Sequence, residues 1–126
     1  MSNNRRRGHN FEREIAVLFR GLGYENARTS RQSSKLLDDS GVDIDRIPFN
    51  VQCKEGIQKG IVYSNVLTNM RVKLKENFPE RVDLLKLVIH KKPPFGKKRE
   101  PEDTLVIMSL YDFVTLIENK QNENKS

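Results

Sequence analysis

Tryptophan is absent from this 126-residue chain, cysteine occurs once and histidine twice. One cysteine cannot build a disulfide framework, and with only two histidines the inventory argues against a Cys/His zinc site. No run approaches the ~18 consecutive apolar residues of a membrane-spanning helix, which excludes one here. The opening MSNNRRRGHN is basic with no apolar stretch behind it, so no secretory signal is expected. Without tryptophan and with three tyrosines, a stacking platform for single strands has little support. These absences lead to the expectation of an intracellular protein in which any metal is held by oxygen ligands.

What is present is charge, and mostly of one sign. Lysine and arginine total 23 against 17 acids, a net charge of +6. The excess is uneven. Between Arg5 and Lys35 stand eight basic residues against three glutamates, and Lys91 to Arg99 carries five basic residues and no acid. Basic clusters on a small domain are the electrostatic footprint of a nucleic-acid binder, with a merely solubilised surface as the plainer reading.

The length allows one domain with a modest core. Residues 1–7 read as a disordered basic arm, 8–119 as the folded domain, and 120–126 as a disordered polar tail. Phe11, Ile15, Leu18, Phe19 and Leu22 fall on one face of a helix over about 11–21, with Asn10 as its cap. A short strand over 24–29 and a mobile loop over 30–41 follow. Val42–Ile47 and Asn50–Lys54 read as two strands joined around Pro48. Next come a helix over about 65–77 capped by Ser64, with Val66, Leu67, Met70 and Leu74 inward, and a strand over 83–90 ending at His90. A basic, Pro/Gly-punctuated loop spans 91–103 and precedes a strand over 104–108. Ser109 and Asp112 have capping-box spacing and open a last helix with Phe113, Leu116 and Ile117 inward. That order predicts an α/β single domain, a central mixed β-sheet flanked by helices.

The stretch GVDIDRIPFNVQCK, residues 41–54, is where chemistry is expected. Alternation puts Asp43 and Asp45 on one face of the first strand and Gln52 and Lys54 on one face of the second. Paired as a hairpin, they form a polar patch of the kind a phosphodiester hydrolase needs. Carboxylate and amide oxygens hold Mg²⁺, and a lysine orients the nucleophile. A solvated sheet face is the competing reading. On the first helix, Glu12 and Glu14 flank opposite edges of the apolar stripe, and helical geometry does not choose between them as a further ligand. Cys53 alternates toward the core as a structural thiol, and His9 reads as an exposed bystander.

In combination, RRGHNFEREIAVLFRGLGY, an Arg-Thr-Ser segment, GVDID and VQCK resemble the archaeal-type Holliday junction resolvases of the PD-(D/E)XK nuclease superfamily. The resemblance spans roughly Arg6 to Glu55. It implies a restriction-endonuclease-like core, a Mg²⁺-dependent endonuclease (Mn²⁺ substituting) and a homodimer that resolves four-way junctions by paired nicks. By resemblance Glu12 and Asp43 hold the metal, joined by Gln52 and the backbone carbonyl of Cys53, and Lys54 positions the attacking water. Arg28 resembles the family's phosphate-contacting basic residue, and Ser30, or the Ser33-Ser34 pair, stands near its functional serine.

The main departure is Gln52, where the family more often has glutamate. The amide removes one negative charge, and Asp45 is the acid the strand places nearest to supply it. DNA contacts are expected from Arg5, Arg6, Arg7, Arg28, Ser30, Arg31 and Lys35. Two alternatives remain at this level: a restriction-like or flap-trimming nuclease of the same superfamily, and a non-catalytic basic DNA-binding protein. All three readings expect a cytoplasmic, DNA-associated protein of a prokaryotic or phage-infected cell, with no membrane partner.

Overall fold

The computed structural model describes residues 3–94 and 96–125, and the side chains of all but the first and last of these. Met1, Ser2 and Ser126, parts of the expected arm and tail, lie outside the described residues, as does Phe95 in the 91–103 loop. The chain order is α1 (Asn3–Gly21), β1 (Arg28–Thr29), α2 (Ser30–Ser33), α3 (Lys35–Asp39), β2 (Ile44–Asp45), β3 (Phe49–Glu55), α4 (Tyr63–Asn77), β4 (Leu85–Lys91), β5 (Thr104–Ile107) and α5 (Leu110–Lys125). One small α/β domain results. Its three-stranded sheet has the order β3-β4-β5, with β3 parallel and β5 antiparallel to β4, and β1 and β2 form a separate antiparallel pair.

Alternation along β3 and β4 divides the interior into two layers. On one side Val51, Leu87 and Ile89 meet Phe11, Ile15, Ala16 and Phe19 of α1, with Cys53 packed at the margin. On the other, Met70 and Leu74 of α4 join Leu37 and Val42. Each of the larger apolar side chains among them (Val, Leu, Ile, Phe, Met) contributes about 1.5–3 kcal/mol of transfer free energy when fully buried. Met70 and Leu74 of α4 and Phe11, Ile15 and Phe19 of α1 fall where helical spacing predicts. Leu18 and Leu22, expected on the same α1 face, instead stand 50% and 65% exposed, because the sheet covers a narrower arc of the helix than the apolar stripe occupies.

Several expectations need correction. The basic arm is helical from Asn3, because Arg5–Arg7 are good helix formers and the Asn4–Arg7 and Asn10–Arg13 side-chain contacts bridge successive turns. The polar tail likewise continues α5 as far as Lys125. The 30–41 loop contains two short helices. The Ser34 hydroxyl caps α3 by accepting from the Leu37 N–H at 3.2 Å, so its serines act as helix caps as well as turn formers. The 24–29 strand shrinks to Arg28–Thr29.

The hairpin does not form. β2 pairs with β1, and β3 takes β4 as its parallel neighbour. Arg46, at φ 65°, and Pro48, which has no N–H to donate, turn the chain out of register between them. Val42 and Ile44 are both fully buried but in different layers. Asn50, which alternation puts on the polar side of its strand with Gln52 and Lys54, is fully enclosed: its Nδ2 donates to the Arg81 and Leu84 carbonyls and its Oδ1 accepts from Arg81 Nε at 3.0 Å. Phe113, Leu116 and Ile117 do not point inward and stand 39–48% exposed.

Candidate active site

Asp43 is fixed before its side chain does anything. Gly41, at φ 90°, makes the turn that delivers it. The Asp43 N–H then donates to the Val51 carbonyl at 2.7 Å, and its carbonyl accepts from the Ser30 N–H at 2.8 Å. Its Oδ2 accepts from the Cys53 N–H at 2.7 Å. In an extended strand a residue's N–H and C=O leave on the same edge. The Cys53 carbonyl therefore leaves β3 on the edge where Asp43 sits.

Glu12 reaches the same region from α1, between the core residues Phe11 and Ile15, and is only 8% exposed. Arg31 Nη2 donates to both of its oxygens, at 3.1 and 3.2 Å. Burial raises the Glu12 carboxyl above its ordinary value, Arg31 works against that, and the Asp38 charge adds to it. Asp43 is pushed up further. Burial is the largest cause, opposed by the Cys53 N–H and reinforced by Glu12 and Asp38. The Cys53 thiol is held neutral by burial and by the Asp43 and Glu12 charges, which fits a structural thiol.

The carboxylate that sequence reasoning missed is therefore Asp38. It lies in α3, inside a segment that reads as a loop, and its charge acts on Asp43, Glu12 and His9. Asp45, the residue expected to supply charge, is engaged elsewhere. Its oxygens accept from Ser33 Oγ at 2.6 Å and from the Arg46 N–H at 2.7 Å, and its field falls on Arg81. Among the described residues no three His, Cys, Asp or Glu side chains close on a point as metal ligands. A cation at Asp43 and Glu12 would draw on neutral oxygens as well.

Gln52 and Lys54 project from β3 on the side facing α4. Gln52 Oε1 lies 3.6 Å from where a Cβ on Gly41 would stand, so the amide packs against the turn that delivers Asp43. The C-terminal end of β3 is stapled by His90, which is 2% exposed and pairs in register with Lys54. The Gly56 carbonyl can only accept, so His90 Nε2 carries the proton to it at 2.8 Å, and Nδ1 accepts from the Tyr63 hydroxyl at 2.7 Å.

Lys54 opens onto a groove of about 840 Å³ that is also lined by Arg7, Lys91 and Arg99, with Glu55 the one acid on its walls. Arg7 lies 3.7 Å from Glu55, Lys91 pairs with Glu14 at 3.5 Å, and Arg99 lies 3.9 Å from Asp103. Of the residues expected to touch DNA, Arg5, Arg6, Arg7, Arg28 and Lys35 are exposed, Lys35 in an ion pair with Asp39. Arg31 is occupied by Glu12. Ser30 is the exception: it is fully enclosed, its hydroxyl has no hydrogen-bond partner, and it cannot meet DNA from the surface. No family model, curated protein or solved structure matches this chain.

Proposed function

We propose that this chain is a divalent-cation-dependent DNA endonuclease with a restriction-endonuclease-like core, acting on branched DNA and most of all on four-way junctions, as a homodimer in a prokaryotic or phage-infected cytoplasm. The observation that carries the reading is Asp43. A buried carboxylate is bonded to the edge of β3 by the Cys53 N–H, surrounded by Glu12 and Asp38, with Lys54 one residue further along the strand at the lip of a basic groove.

The donor set fits a hard cation. It offers carboxylate, amide and carbonyl oxygens, and its two buried carboxyls are destabilised as anions by burial first, then Asp43 by the Glu12 and Asp38 charges and Glu12 by that of Asp38. Glu12, Asp43, Gln52 and the Cys53 carbonyl would hold Mg²⁺ or Mn²⁺, with Asp38 supplying the charge that Gln52 lacks. When bound, the ion acidifies a water and polarises the phosphate. The chain's own residues do the rest. Lys54 orients the attacking water and offsets charge on the phosphorane. Arg7, Lys91 and Arg99 hold flanking phosphates, giving salt-sensitive, sequence-independent binding. Arg31 neutralises Glu12 here, and would be free to hold a phosphate if a cation took its place on that carboxylate.

That same Arg31–Glu12 contact, with the neutral Gln52, favours a second reading: a basic DNA-binding protein without catalysis. A panel of labelled four-way junction, flap, nicked and linear duplex, each with Mg²⁺ and with EDTA, separates the two. Paired symmetrical nicks in the junction with Mg²⁺ alone are expected. Equal cutting of every substrate would make the protein a restriction-like nuclease, and binding with no cutting would overturn the enzyme reading.

A further inference from the structure

Helix α5 is inverted relative to its own domain. Taking ~100° per residue, Asp112 and Thr115 share one side, and that side faces the sheet: both are partly buried, and Asp112 Oδ2 accepts from the Lys86 N–H at 3.0 Å. Leu110, Phe113, Val114 and Ile117 fall on the opposite side at i, i+3, i+4 and i+7, all exposed, Leu110 by 76%. Tyr111 and Leu116 flank the stripe and are exposed too. A helix of 16 residues is marginal in water unless an apolar face is packed. Here the apolar face is the one left open.

We infer that this stripe of α5 is the two-fold interface between two copies of the chain. The inference deepens the homodimer of the proposed function and rests on that reading for the use of two sites, while the face itself is argued from burial and charge. Charge selects the occupant first. The α5 segment holds Asp112, Glu118 and Glu123 against Lys120 and Lys125, a net charge of −1, so the rest of the chain carries +7 and the two sum to the chain's +6. Nucleic acid and anionic lipid both need cations on the docking face, and α5 is the wrong element for either. In a two-fold contact each α5 meets its twin, and with a net charge of only −1 on either side the opposing fields are weak. Composition selects it next. The stripe has no charged residue, so it is complementary to itself, as a two-fold contact requires.

The area also suffices. The exposed parts of the six apolar side chains amount to roughly three whole ones, and at ~150–250 Å² per large side chain that is about 600 Å² from each copy. Specific interfaces begin near ~1,200 Å² in total.

Sedimentation velocity on the full chain, with and without Phe113→Glu plus Ile117→Glu, tests the assignment. The unaltered protein is expected to be a dimer at micromolar concentration, and the double variant to associate at least tenfold more weakly with an unchanged far-ultraviolet spectrum. Val72→Glu, an exposed site on α4, should leave the dimer intact. Should the double variant fail to fold, Leu110→Lys, at the exposed start of α5, must weaken the dimer in its place. A monomeric unaltered protein, or a double variant that dimerises as tightly, overturns the inference. A dimer that α5 substitutions dissociate but that cuts no DNA upholds the interface and overturns the nuclease reading instead.

Discussion

Replacing Asp43 by Asn should stabilise the metal-free protein. Asn keeps an oxygen that can accept from the Cys53 N–H, so the 2.7 Å bond survives in neutral form at a cost of about 1 kcal/mol. What disappears is an anion disfavoured by burial and by the Glu12 and Asp38 charges. Burial and the Glu12 and Asp38 charges hold the Asp43 carboxyl well above its ordinary value, and Asn carries none of that penalty, so the gain outweighs the weakened hydrogen bond. The variant should therefore melt above its parent in EDTA at pH 7, each kcal/mol gained raising the Tm of a domain of this size by roughly 3–6 °C. The pH dependence has a definite sign. The folded carboxyl holds its proton to higher pH than the unfolded one, so the unaltered protein loses stability as pH rises from the ordinary carboxylate range through the raised value, and the variant lacks this loss. Thermal melts in EDTA from pH 4 to 8, repeated with Mg²⁺, measure both effects. Mg²⁺ should raise the Tm of the unaltered protein and leave the variant unmoved. A variant less stable than its parent in EDTA at pH 7, or one that keeps the full Mg²⁺ shift, would refute the reasoning.

Three further outcomes follow from the same geometry. Gln52→Glu restores a charge beside the Asp43 turn, so calorimetric titration should show several-fold tighter Mg²⁺ binding, and melts in EDTA a lower Tm. Arg7→Ala with Arg99→Ala removes two cations from the groove at Lys54. Fluorescence anisotropy should show weaker DNA binding and a plot of log Kobs against log salt shallower by about 1 per lost phosphate contact. Asn50→Ala strips the hydrogen bonds that hold the Arg81 and Leu84 carbonyls to β3, and urea unfolding should show a loss of about 2–4 kcal/mol with DNA binding per folded molecule unchanged.

Short-range patterns were legible in the sequence. Phe11, Ile15 and Phe19 announce the buried face of α1, Met70 and Leu74 that of α4, and Val51 and Cys53 the core side of β3, because side-chain period alone decides them. The structure also puts Glu12 rather than Glu14 beside Asp43, a choice helical spacing left open. What was hidden depends on partners distant in sequence. β2 looks like half of a hairpin with β3, but its partner is β1, and β3 pairs in parallel with a strand across the whole of α4. Asn50 reads as surface because Arg81, which encloses it, is 31 residues away. Asp38 sits among serines and aspartates that signal turns, and nothing local tells that α3 carries it to Asp43. The α5 spacing reveals an apolar stripe, but periodicity cannot say whether it faces its own sheet or another molecule.

The central claim is that Asp43, Glu12 and Lys54 form a hydrolytic site. Its most direct test is cleavage of a labelled four-way junction by the unaltered protein and by Lys54→Ala, with Mg²⁺, Mn²⁺ or EDTA, alongside junction affinity. The account predicts divalent-dependent nicking that Lys54→Ala abolishes while binding changes by less than about threefold. Binding without nicking in both metals, or nicking that survives Lys54→Ala, would contradict it.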